Sequence, residues 1–136
     1  MRSLLGAIER FDVEAADRLG LGRSDWRALR LLVENGPQPP RALGAALGLT
    51  SGSVTSLLDR LETGGFVRRE RDPADRRALI VAALPPARRA VAAAYAPLAS
   101  VTGRVADRLG RERSDAAAKQ LLDLARLVDW ARTGRT

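Results

Sequence analysis

Between Arg68 and Leu84 the chain reads RRERDPADRRALIVAAL, eight charged residues around one proline and then an almost wholly apolar run. Three chemistries suit such a cluster. Glu70, Asp72 and Asp75 could serve as acids, bases or metal ligands, the arginines could grip a polyanion, or all of them could simply solvate a loop through weak surface ion pairs. The first reading fails on electrostatics. Arg68, Arg69, Arg71, Arg76 and Arg77 surround the carboxylates, and nearby cations lower carboxylate pKa values and oppose binding of a further cation, whereas a general acid needs the reverse. A tip of purely local sequence also cannot enclose a substrate and exclude water. No enzyme and no metal site is expected here. Arginine at a projecting tip, by contrast, can reach phosphate or enter a narrow minor groove, and Asp75 could hold one guanidinium in a single direction.

The rest of the composition narrows the field in the same sense. Lys and Arg number 23 against 16 Asp and Glu, for a net charge of +7, and Lys119 is the single lysine. Arginine keeps its charge at any working pH and offers a planar fork of donors that fits phosphate or the edge of guanine. The absence of Cys and His removes disulfides, thiol redox sensing, Cys/His metal sites and every catalytic scheme built on imidazole or thiolate. No cofactor is expected. Asp12, Glu14 and Asp17 do not make a metal cluster, because residues two apart do not face each other on a helix. The apolar run after Met1 is broken by Glu9 and Asp12, so neither a signal peptide nor a membrane span is expected, and the protein is expected in the cytoplasm. A chain of 136 residues fits one compact domain, or a subunit that completes its core by pairing.

The elements that must position the charged stretch follow from periodicity. Leu4, Leu5, Ile8 and Phe11, then Val13, Ala16 and Leu19, recur at helical spacing, and that helix should end at Gly20 or Gly22. Ser24 can cap a second helix carrying Trp26, Leu29, Leu32 and Val33, which stops at the breaker run NGPQPP. A short helix from Pro40 or Arg41 to Leu47 ends at Gly48, and Thr50 or Ser51 can cap another that extends to about Thr63. Two short helices joined by GLTS form a helix-turn-helix pattern. In the second of them Val54, Leu57, Leu58 and Leu61 make the buried stripe. Its opposite face carries Gly52, Ser56, Asp59, Arg60 and Thr63, flanked by Ser53 and Thr55. Small hydroxylated residues there let a helix approach a duplex closely, although a plain solvated surface helix has the same composition.

After the glycines at 64 and 65, a strand that Phe66 and Val67 open and that continues through Arg71, and another from Ala78 to Leu84, flank the turn DPAD. A hairpin directly after a helix-turn-helix is a wing. From Pro86 to about Leu109 the period is helical again, through Val91, Tyr95, Leu98, Val101 or Thr102, and Val105, with Pro97 expected to kink or divide the helix. Ser114 can cap a last helix with more apolar surface than one stripe needs. Such a surplus, in Leu121, Leu124, Val128 and Trp130 together with Leu4, Ile8 and Phe11 at the other end, is expected to pair two chains.

The run LGAALGLTSGSVTSLLDRLETGGFVRRERDPADRRALIVAALPPARR, Leu43 to Arg89, resembles the MarR family of winged helix-turn-helix transcriptional regulators. The likeness rests on the LG and LT of the turn, the VTSLLDRLE helix, the GGFV entry to the wing, and the DPADRR tip followed by an apolar strand. It implies a mostly α fold with a small β-hairpin wing, in which residues 23–85 form the winged DNA-binding domain and residues 1–22 and 86–136 a helical dimerisation region. It implies a homodimer on double-stranded DNA with a pseudo-palindromic site, usually as a repressor, and in many members release by a small aromatic ligand. On this chain the family's major-groove helix carries Gly52, Ser53, Thr55, Ser56 and Arg60, and its Asp-x-Arg wing signature falls on Asp75 and Arg77, with Arg76 between.

Arg41, Ser51 and Arg71 complete the expected DNA-contact set, and which wing arginine enters the minor groove is left open by the sequence. Phe11, Trp26, Arg30, Tyr95 and Leu98 are the candidate effector pocket, with an ordinary core role for Trp26 and Tyr95 as the competing reading. The chain departs from the family in several respects, among them the absence of His, which makes a zinc-responsive member unexpected. Without Cys, thiol-based peroxide sensing cannot operate, and Pro85 and Pro86 stand where relatives commonly have LT. The alternative function is a winged-helix protein-interaction module that has lost DNA binding.

Overall fold

The computed structural model describes residues 2–133, with the side chains of residues 1–5, 7, 122 and 124–136 outside the description. Six helices and one hairpin follow in the order α1 (Arg2–Leu19), α2 (Arg23–Asn35), α3 (Pro40–Leu47), α4 (Ser51–Thr63), β1 (Val67–Arg71), β2 (Leu79–Ala83), α5 (Pro85–Leu109) and α6 (Arg111–Thr133). The chain divides into two compact units, residues 1–95 and 96–136.

The first unit is built on α2, whose Trp26, Ala28, Leu29 and Leu32 are buried. Leu43 and Leu47 of α3, the Val54, Leu57, Leu58 and Leu61 stripe of α4, Val67 of β1, and Val81 and Ala83 of β2 close one core around Ala28, Leu29 and Leu32. A second cluster joins Ala15 and Ala16 of α1 to Trp26 and to Val91 of α5. At roughly 25 cal/mol per Å² of apolar surface removed from water, these clusters supply the main force holding the helices together. α3 and α4 cross closely because residue 44 is glycine: a Cβ there would lie 3.0 Å from Val54 Cγ2 and 3.3 Å from the Leu49 carbonyl oxygen. The turn between them needs Gly48, which is left-handed at φ 69° and returns its N–H to the α3 carbonyls. Thr50 then caps α4, its Oγ1 accepting the Ser53 backbone N–H at 3.3 Å.

β1 and β2 pair antiparallel from Val67 opposite Ala83 to Arg71 opposite Leu79. Gln38, set between two prolines, pairs with the outer edge of β2 through two backbone bonds, Gln38 N–H to Val81 O at 3.1 Å and Val81 N–H to Gln38 O at 2.8 Å. That bridge covers part of the edge the hairpin would otherwise expose.

Three local expectations change. α2 is not capped by Ser24, since its N-cap is Gly22 and Ser24 already lies in the first turn. Ser114 does not cap α6 either: the break is Gly110, at φ 76°, whose carbonyl accepts the Ser114 N–H at 3.0 Å. α5 is not divided at Pro97 but runs through it from Pro85 to Leu109, starting on the two prolines because a first-turn residue needs no N–H partner within the helix. In the second unit Val101, Val105, Leu109 and Leu121 are exposed.

Candidate nucleic-acid interface

The residues expected to touch DNA, Asp75 excepted, line three open concavities of the first unit. Arg41 lines one, with Ser51 and Thr55, where α3 meets the start of α4. Gly52, Ser53, Ser56 and Arg60 line a second, together with Ser24. Arg71, Arg76 and Arg77 line the third, at the wing tip, with Asp72 and Pro73. The outer face of α4 is exposed from Ser51 through Ser53 and again at Thr55, Ser56, Asp59 and Arg60. Its small side chains follow from the same 100° periodicity that buries Val54, Leu57, Leu58 and Leu61 on the other side.

The arginines of the charged stretch, alike in sequence, separate into two groups. Arg68 pairs with Glu70 at 2.7 Å. Arg69 turns back onto α4, where it pairs with Asp59 at 2.6 Å and with Glu62, donates to the Thr55 carbonyl at 3.3 Å, and gives its backbone N–H to Glu62 at 3.1 Å. The Asp59 hydrogen bond and then, after the opposing cost of burial, Glu62 hold the Arg69 guanidinium more firmly charged than usual. Arg71, Arg76 and Arg77 stay exposed, with no ion-pair partner among the described residues.

Asp72 and Asp75 shape the turn between the strands. Asp72 accepts the Ala74 N–H at 2.8 Å, Asp75 accepts the Arg77 N–H at 3.0 Å, and the Ala78 N–H returns to the Asp75 carbonyl at 2.9 Å. The carboxylate of Asp75 therefore holds the backbone of Arg77, not a guanidinium, because a short Asp side chain reaches an amide two residues on more readily than a long side chain's tip.

Arg60 is engaged as well. Its Nε and Nη2 donate to the two carboxylate oxygens of Asp25 at 3.0 and 2.7 Å. Asp25 is the one buried charged residue among those described. Its partner's hydrogen bond, and then its charge, raise the Arg60 pKa. Both Asp25 and Arg69 escaped the sequence reading, yet each left a trace. Asp25 stands three and four residues before the buried Ala28 and Leu29, and Arg69 is two residues after the buried Val67, on the same face of β1.

Of the candidate effector residues, Trp26, Arg30 and Tyr95 converge on Asp12. Trp26 Nε1–H and Arg30 Nη1–H donate to it at 2.9 and 2.7 Å, and the Tyr95 hydroxyl donates to the same oxygen as Trp26. The Arg30 guanidinium stacks 5.3 Å from the centroid of Tyr95. Burial, and then the bond to Asp12, push the Tyr95 phenol well above its ordinary pKa. Phe11 is half-buried and makes none of these polar contacts. Leu98 belongs to the second unit. Asp12 was the residue to find: it sits four residues after Ile8 and four before the buried Ala16, and an acid on a packed face needs donors. A cleft beside it is lined by Glu9, Val13, Arg23, Arg27 and Arg30.

Of the expected pairing residues, Ile8 and Phe11 are half-buried and Leu121 is exposed. The side chains of Leu4, Leu124, Val128 and Trp130 lie outside the described residues. Among the described residues no acidic group could hold a metal ion, and no helix is long and apolar enough to cross a membrane.

Two crossed helices with a capped second helix, followed by a hairpin fastened to that helix, define a winged helix-turn-helix fold. Residues 19–78 match the family model described as MarR family. The chain is 40% identical over 92 residues to the helix-turn-helix-type transcriptional regulator YcgE of Bacillus subtilis (strain 168), covering 68% of this chain and 60% of YcgE. The transcriptional regulator Tm0710 of Thermotoga maritima superposes with a TM-score of 0.65 at 24% identity, covering 98% of this chain and 96% of that one. A point mutant of S. aureus MepR, bound to an oligodeoxyribonucleotide, superposes at 0.63 with 16% identity, covering 93% and 94%. The matched span, residues 19–78, is a MarR-family winged helix-turn-helix domain, and the chain spans less than two thirds of the length of the curated relatives it matches.

Proposed function

We propose that the protein is a transcriptional repressor that binds a pseudo-palindromic site on double-stranded DNA as a homodimer. α4 enters the major groove with Ser51, Gly52, Ser53, Thr55, Ser56 and Arg60 toward the bases. Arg41 and the wing residues Arg71, Arg76 and Arg77 bind phosphate or the minor groove. The observation that carries this reading is the sorting of the arginines: those without carboxylate partners stand exposed at the wing tip, while Arg69 neutralises the two acids that α4 would otherwise present to a polyanion. The oligodeoxyribonucleotide bound to the similar MepR supports it.

Residues 1–22 and 86–136 pair two chains in this reading, through Leu4, Ile8, Phe11, Leu121, Leu124, Val128 and Trp130. The exposed Val101, Val105, Leu109 and Leu121 support it, since helices this apolar rarely stay unpaired in water. A small aromatic effector would bind beside Trp26, Arg30 and Tyr95 and disturb their shared grip on Asp12. Enrichment of random and genomic duplexes by the purified protein, including fragments upstream of its own gene, tests the proposal. Recovery of sites with twofold half-site symmetry is expected. Failure to retain any duplex would turn the winged unit into a protein-interaction module.

A further inference from the structure

Asp25 and Arg60 form a pair unlike the others on this surface. The remaining ion pairs join side chains that are both at least a quarter or so exposed, but the Asp25 side chain is 6% exposed while that of Arg60 is 58% exposed. The carboxylate is anchored in the fold and the guanidinium is not. A buried carboxylate is costly to desolvate, and its retention calls for a partner that satisfies both oxygens. Arg60 does so with one edge of its fork, Nε and Nη2. The end-on edge, Nη1 and the second hydrogen of Nη2, takes no part in that pair. Arg60 lines a concavity together with Gly52, Ser53 and Ser56, the small residues that allow the helix a close approach.

We propose that Asp25 is a positioning residue that locks Arg60 in one orientation, so that its end-on fork reads the O6 and N7 of a guanine at one position in each half-site. This rests on the DNA-binding reading above and gives that reading a specific base. A phosphate accepts a cation from many directions and gains little from a guanidinium held rigid by a buried acid. Two coplanar acceptors on a base edge demand that planarity and reward it, because the side chain has little rotameric freedom left to lose. The Ser56 hydroxyl, with a donor and acceptor free to rotate, discriminates bases less sharply, and the Ser53 hydroxyl is already hydrogen-bonded to that of Thr50 at 2.9 Å. Arg60 is therefore the main specificity determinant of α4.

The test compares the base preferences that wild-type protein, Asp25→Asn, Arg60→Lys and Arg60→Gln select from random duplexes. Arg60→Gln leaves Asp25 without a cation, so Arg60→Lys, which keeps the charge but not the fork, carries the comparison if the first fails to fold. The wild type is expected to select one G·C pair per half-site with a preference of about tenfold or more. Both Arg60 variants are expected to lose that preference and keep the others, and Asp25→Asn to weaken it at the same position. Unchanged base preferences with a uniform fall in affinity would mean a phosphate contact and would overturn the inference while leaving DNA binding intact. A wild type that enriches no duplex overturns the DNA-binding reading, and this one with it.

Discussion

Arg69 in β1 and Asp59 in α4 are joined by a 2.6 Å ion pair, with Glu62 on the second arm of the same guanidinium. One side chain thus fixes the wing against the helix proposed to enter the major groove. Exposed ion pairs are individually weak, but a shared, partly buried guanidinium with a backbone acceptor is a small network. Arg69→Gln is expected to cost about 1 kcal/mol, a fall in Tm of roughly 3–5 °C. It should also speed amide exchange in β1 and β2 more than in α2. Equal protection of the hairpin in both proteins would show that the strands set the wing angle without Arg69.

The wing tip behaves differently. Arg76 and Arg77 carry no ion-pair partner among the described residues, so Arg76→Ala with Arg77→Ala is expected to leave Tm within about 1 °C, surface changes of this kind being nearly neutral. Asp75→Ala removes the acceptor of the Arg77 N–H and is expected to lower stability by about 0.5–1 kcal/mol. A larger loss from the arginine pair than from Asp75→Ala would reverse these roles.

Tyr95 offers a pH measurement, because it is the single tyrosine of the chain. Its phenol is raised above the ordinary value of 10.0, by burial first and by the bond to Asp12 second. Tyrosinate absorbance near 295 nm is therefore expected to stay absent as pH passes 10 and to appear only at higher pH or with unfolding. Since the folded value is the higher one, the stability linked to this proton is complete below about pH 10 and is lost as pH rises toward the folded value. Asp12→Asn is expected to bring the titration down. A titration at the ordinary tyrosine pH in the wild type would mean that the Asp12 cluster is open to water.

The α3–α4 crossing gives a fourth expectation. Gly44→Ala would place a Cβ 3.0 Å from Val54 Cγ2, and crowding of a packed contact typically costs about 1–3 kcal/mol. Gly48→Ala meets no atom within 4 Å but must adopt φ 69°, at a cost of roughly 1 kcal/mol. Urea denaturation separates the two, and a milder effect at Gly44 than at Gly48 would show that α3 can shift away from α4.

Most elements were legible because each repeats one period long enough to be read. The α4 stripe of Val54, Leu57, Leu58 and Leu61 and the break at Gly48 define the helix-turn-helix without tertiary knowledge, and the two strands flanking the DPAD turn locate the wing. Polar pairing was not legible. Arg60 finds Asp25 across 35 residues and Tyr95 finds Asp12 across 83, distances over which a single sequence carries no pairing signal. An acid on a packed helix face signals that a partner exists but does not name it. The helix starts at Gly22 and Gly110 were missed for a related reason. A serine nearby is the commoner cap, but Gly110, which ends α5, also begins α6, and Gly22 begins α2 only two residues after the left-handed Gly20.

The central claim, DNA binding through arginine and helix contacts to phosphate, is tested most directly by titrating a selected duplex across a series of salt concentrations, with wild type and with Arg71, Arg76 and Arg77 replaced by Ala. The logarithm of the binding constant is expected to fall linearly with the logarithm of salt, by about 0.9 per phosphate neutralised, and to fall less steeply in the variant by up to about three contacts. Wild-type affinity that hardly changes with salt, or a variant whose slope matches the wild type, would contradict it.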